Sequence, residues 1–104
     1  GNPSAEDGIL ILKTFLYKLK RLKKLKTELQ VKRDADTVIS SHKPPIFWKD
    51  KMVIKQQLQI WSLPQIKSLI KKINDLELLI KKNSQISNQI INNFILEKLE
   101  HSNN

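Results

Sequence analysis

Cysteine is absent from these 104 residues, so neither a disulfide nor a zinc–thiolate site can form. Glycine is almost absent. Gly1 and Gly8 are the only two, which excludes the glycine-rich phosphate cradles of the P-loop and Rossmann types within this chain. The two histidines, His42 and His101, are far apart in sequence, and the second lies in a polar tail. No metal site is expected, and no cofactor. No apolar run approaches the length that spans a bilayer, and no signal-peptide pattern is present. A soluble, cytoplasmic location is the expectation. No segment alternates apolar and polar residues over a useful length, so strands are not expected.

Basic residues are abundant. Nineteen Lys+Arg against ten Asp+Glu give a formal charge of +9. Such a balance fits a nucleic-acid or anionic-membrane footprint. It also fits an AT-rich genome, because lysine, isoleucine and asparagine are used heavily while glycine, alanine and arginine are scarce. The length suits one domain spanning residues 1–104 and allows a modest core without staples. The chain begins at Gly1 and its first element follows almost at once, so a piece of a longer protein is expected.

The apolar residues that are present recur at helical spacing. Residues 1–8 contain Pro3, Ser4, Asp7 and Gly8, the composition of a linker or helix entry. From Ile9, the positions Leu12, Phe15, Leu19, Leu22, Lys26 and Leu29 step by 3, 4, 3, 4 and 3, a heptad-like seam. Lys13, Tyr17, Lys20, Arg21 and Lys24 lie opposite it. Lys26 interrupts the seam: either its stem snorkels from the helix end, the favoured reading, or the last turns leave the domain's own core and meet a partner. Arg33-Asp34-Ala35-Asp36 marks a break, with Asp34 placed to cap a short helix over 35–41.

Pro44-Pro45 cannot continue a helix and forces a corner. The bulky Ile46, Phe47 and Trp48 follow it, and a corner anchored in the core by aromatics is expected. A helix from about Lys49 to Trp61 carries Ile54, Leu58 and Trp61 on one face. Ser62-Leu63-Pro64-Gln65 then reads as a capping box with proline in the first turn. The helix after it has the stripe Ile66, Leu69, Ile73, Leu76 and Ile80, widened by Ile70. Lys81-Lys82-Asn83 closes it, with Asn83 suited to a left-handed cap. A last helix, about Ile86 to Leu99, places Ile86, Ile90, Phe94 and Ile95 inward, and residues 101–104 form a frayed tail. The fold class expected is all-α: a bundle of four long helices and one short one.

No catalytic constellation is legible. Asp75 and Glu77 are two apart and point to different sides of a helix, while Glu97 and Glu100 fall on its exposed end. The Ser62 helix has too apolar a stripe and too ordinary a cap for base reading by a helix-turn-helix. A lysine face on the first helix leaves Lys13, Lys20 and Lys24 as candidate phosphate contacts without sequence readout.

One pattern is more specific. Leu12-Lys13-Thr14-Phe15-Leu16 with Lys20-Arg21-Leu22 is followed by Pro44-Pro45-Ile46-Phe47-Trp48-Lys49. Gln57-Leu58, Trp61-Ser62 and a leucine-rich helix come next, and Glu77 precedes Lys81 by one turn. This resembles the C-terminal domain of the bacterial DNA polymerase III delta subunit, in its alphaproteobacterial form, over roughly residues 9–99. The Pro-Pro-aromatic-Lys to Trp-Ser segment is its specific part. Lysine here replaces much of the family's arginine in the opening helix, and the last helix aligns loosely. The resemblance implies a collar domain of the clamp loader. Five such domains, one per subunit, pack into a ring that holds the loader together while other modules open the sliding clamp and load it on primed DNA. It implies no catalysis in this domain, other clamp-loader subunits as partners, and contact with the clamp only through N-terminal modules. DNA contact would be weak and non-specific at most. The motif residues that carry over are Pro44, Pro45, Phe47, Trp48, Lys49, Gln57, Leu58 and Trp61, expected to be mostly structural. The rival from the charge is an independent, basic nucleic-acid-binding helical domain, and a weaker third is a regulatory helical domain of an enzyme. Clustered lysines would favour the rival, and an exposed apolar strip the collar.

Overall fold

Ser62 and Gln65 exchange hydrogen bonds in both directions. The Ser62 N–H donates to Gln65 Oε1 at 2.9 Å, and the Gln65 N–H donates to Ser62 Oγ at 3.2 Å. This reciprocal box starts a 20-residue helix where the sequence places it, and satisfies two donors that a helix start leaves orphaned. The computed structural model describes residues 5–83 and 87–102. In chain order it shows α1 (Ala5–Lys32), α2 (Ala35–Ser41), a 3₁₀ turn (Trp48–Asp50), α3 (Lys51–Ile60), α4 (Leu63–Lys82) and α5 (Ser87–Ser102). Among the described residues there is no strand, and the fold is all-α.

Two compact units divide the chain. Residues 16–71 form one, and the described residues of 1–15 and 72–104 form the other. In the 16–71 unit, Leu22 and Leu25 of α1, Val38 and Ile39 of α2, Ile46 of the corner, Ile54 and Leu58 of α3, and Ile66 of α4 close one core, with Leu29, Trp61 and Ile70 packed against it. In the other unit Leu12, Ile73, Leu76, Ile80 and Ile91 are buried. Gly8 belongs there too. A Cβ at Gly8 would lie 2.3 Å from Ile91 Cδ1, so Gly8 lets the α1 backbone approach α5 closely. It is a packing position inside α1, not part of a linker. The helix begins at Ala5, so Asp7 is helical, while Pro3 and Ser4 lie outside the described residues.

The α1 seam shifts by one residue at two points. Leu16 is buried and Phe15 half-buried; Leu25 is fully buried and Lys26 half-buried. A step of three or of four satisfies the same stripe, so adjacent positions compete for it. At Lys26 the contest has a clear outcome, since its ammonium leaves the core to reach a backbone oxygen. Lys26 Nζ donates to Leu58 O at 2.6 Å. The stripe of α4 is as expected: Ile66, Leu69, Ile73, Leu76 and Ile80 are all buried, and Glu77 pairs with Lys81 at 2.9 Å. In α5 the inward residue is Ile91, whereas Ile90, Phe94 and Ile95 are half-buried. The helix continues to Ser102 instead of fraying at 101, and Ile86 lies outside the described residues.

Helix ends also differ from expectation in one exchange. Asn83 is not left-handed; its N–H donates to Leu79 O and Ile80 O. The left-handed cap is Arg33, with φ 61°, whose N–H donates to Leu29 O at 2.8 Å and closes α1. Asp34 then caps α2 as its position suggests, accepting from the Asp36 N–H and the Thr37 hydroxyl. The Thr37 hydroxyl holds the Asp34 carboxyl below its ordinary value. The cap is therefore present at neutral pH and is lost as pH falls through that lowered value.

Candidate functional site

The corner after α2 is built from a buried anchor and two outward rings. The Lys43–Pro44 peptide is cis. His42 is 7% exposed, and its Nδ1–H donates to Pro44 O at 2.9 Å, tying the end of α2 to the corner. Ile46 is 5% exposed and plugs the core of the 16–71 unit. One residue later the chain turns outward. Phe47 is 57% exposed and Trp48 is 69% exposed. The expectation that this aromatic pair anchors the core is therefore corrected. A single small aliphatic side chain makes the anchor, because the 3₁₀ turn over 48–50 carries Trp48 away from the core side that Ile46 enters.

The exposed rings are ordered against each other. Their centroids are 5.9 Å apart at 51°, and Lys49 Nζ lies 5.5 Å from the Trp48 ring centroid. An ammonium over an indole face is held by the ring quadrupole. Met52 and Val53, in the first turn of α3, are exposed as well. The corner and the start of α3 thus expose four large apolar side chains, one of which, Trp48, lies beside the Lys49 ammonium.

The remaining motif residues take structural places. Pro44 and Pro45 are exposed and shape the corner. Leu58 is 1% exposed in the core. Gln57 is half-buried, and its carbonyl accepts the Trp61 N–H at 2.9 Å, which ends α3. Trp61 is half-buried and packed against the core. The motif thus separates into a structural set and an exposed set, Phe47, Trp48 and Lys49. The one sequence signal for that separation is Lys49, which directly follows the Phe47-Trp48 pair and marks a wet edge.

Lys13, Lys20 and Lys24 are all exposed on α1. Among the described residues no cluster of His, Asp and Glu could hold a metal ion. In a shallow depression lined by Asp36, Thr37, Ser40 and Ser41, two of the hydroxyls are engaged, with Thr37 donating to Asp34 and Ser41 to Thr37 O. No described helix is long and apolar enough to cross a membrane. Compared with protein-family models, curated proteins and solved structures, the chain matches none of them.

Proposed function

We propose that this chain is the collar domain of the delta subunit of the bacterial DNA polymerase III clamp loader. In this reading it is a non-catalytic, cytoplasmic scaffold that holds the loader ring while other modules open the clamp. The observation that carries the reading is the Pro44-to-Ser62 pattern, which runs from the corner along α3 to the cap of α4 within one all-helical unit. Support comes also from exposed large apolar side chains on the described helices. Leu10, Leu78 and Leu96 are each more than half exposed, as an assembly module would require.

Assembly through apolar surface survives moderate salt, whereas exposed charge pairs are screened. Reversal of Lys13, Lys20 and Lys24 to Glu should therefore leave association with the purified loader subunits intact. Leu10→Asp, Leu78→Asp and Leu96→Asp, tested one at a time by size-exclusion chromatography with light scattering, should include at least one variant that abolishes it. Tight, salt-resistant DNA binding by this chain with no measurable affinity for any loader subunit would overturn the proposal and favour the independent nucleic-acid binder.

A further inference from the structure

The run Lys18-Leu19-Lys20-Arg21-Leu22-Lys23-Lys24 places five cations in seven consecutive residues. Leu19 and Leu22 are 7% and 5% exposed, so they pin this stretch of α1 to the protein and fix which way its other side chains point. Lys18, Lys20, Lys23 and Lys24 are exposed, and Arg21 is half-exposed. From Gly8 to Thr27 the chain holds no Asp or Glu. Among the described residues, none of the five cations forms an ion pair, although Glu28 stands one turn beyond Lys24. The Arg21 guanidinium lies over the Tyr17 ring, 5.8 Å from its centroid, which restrains that cation.

We propose that the exposed cations of this stretch of α1, which wrap around its solvent side from Lys18 to Lys23 with Lys20, Arg21 and Lys24 between them, bind the phosphate backbone of a nucleic-acid duplex without reading its sequence. Lysines four residues apart on a helix are separated by about 6 Å along its axis, within reach of neighbouring phosphates on one strand. The charge is complementary, and the cations have no acidic partner to release before binding. Two other polyanions fit less well. Binding in a membrane interface needs an apolar helix face to bury, and the apolar residues here, Leu16, Leu19, Leu22 and Leu25, are already buried in the protein. An unpaired strand is gripped by successive aromatic platforms, and residues 17–24 hold a single aromatic side chain, Tyr17. The surface is independent of the assembly role proposed above and can stand or fall separately.

The test is fluorescence anisotropy of a labelled duplex of arbitrary sequence with the whole chain, titrated at several salt concentrations. About four phosphate contacts predict a roughly hundredfold loss of affinity from 50 to 200 mM salt, equal for unrelated sequences. The variant Lys20→Gln/Lys23→Gln/Lys24→Gln should lose about three units of the log–log salt slope. A control, Lys67→Gln/Lys72→Gln/Lys82→Gln, removes the same net charge from exposed positions of α4 and should keep both slope and affinity. All six side chains are exposed, so both variants should retain the parent's far-UV circular dichroism. Equal loss in the two variants would overturn the proposal, since net charge alone would then explain binding. So would competition by polyglutamate, by an unlabelled single strand or by phosphatidylserine vesicles as effective as that by unlabelled duplex.

Discussion

Replacing Lys26 by methionine should destabilise the protein by about 1–2 kcal/mol, far more than an ordinary surface lysine change. The reason lies at the far end of α3. Leu58 O would normally accept from the N–H four residues on, which is that of Ser62. That N–H is taken by Gln65 Oε1 in the box that starts α4. Trp61 N–H is also taken, by Gln57 O. Leu58 O is left for Lys26 Nζ, 2.6 Å away. A hydrogen bond to a charged donor is worth about 1.5–3 kcal/mol, and a cation at a helix C-terminus adds to it. Half-exposure of Lys26 lowers the figure, because water can replace part of the bond. Methionine keeps the apolar stem, so packing is held nearly constant. In urea unfolding followed by far-UV circular dichroism, a slope of about 2 kcal/mol/M turns the loss into a midpoint shift of roughly 0.5–1 M. Lys24→Met, on the exposed face, should stay within about 0.5 kcal/mol of the parent. The Lys26 effect should persist in about 0.5 M salt, since its partner is a carbonyl at contact distance and not a distant charge. A loss at Lys26 no larger than at Lys24 would refute the reasoning.

Three further outcomes are expected. Trp61→Ala should cost about 2 kcal/mol, below the usual range for a fully buried aromatic, because Trp61 is half-buried. Trp48→Ala should change stability by less than about 0.5 kcal/mol, and comparable losses at the two sites would contradict the observed corner. Arg33→Gly should stabilise the protein by about 0.5 kcal/mol net and so raise the urea midpoint, because glycine relieves the left-handed backbone but loses a cation at the end of α1. A lowered midpoint would count against the αL cap. Gly8→Ala should destabilise by about 1 kcal/mol, the clash with Ile91 Cδ1 outweighing the helix propensity gained. In an Ile91→Val background, which lacks that Cδ1, the same change should be neutral or stabilising; additivity in this double-mutant cycle would show that the two residues do not meet.

Local chemistry determined the elements. The Ser62/Gln65 box, the Asp34 cap and the Pro44-Pro45 corner act over a few residues, so their signals are complete within the sequence. The stripe Ile66-Leu69-Ile73-Leu76-Ile80 was equally legible, since a regular period has one solution. Choices between near-equal neighbours were decided only by tertiary structure. Phe15 against Leu16, and Lys26 against Leu25, satisfy the same period, and the selection at Lys26 came from an orphaned carbonyl 32 residues away. Gly8 looked like a linker because its reason to be glycine is Ile91 on a distant helix. The aromatic pair shows the limit most clearly. Hydrophobicity alone assigns Phe47 and Trp48 to the core, but at that corner Ile46 is the residue that enters it, and both rings stay exposed. Which side chain of a corner enters the core is set by all the core's walls together, which no single segment encodes.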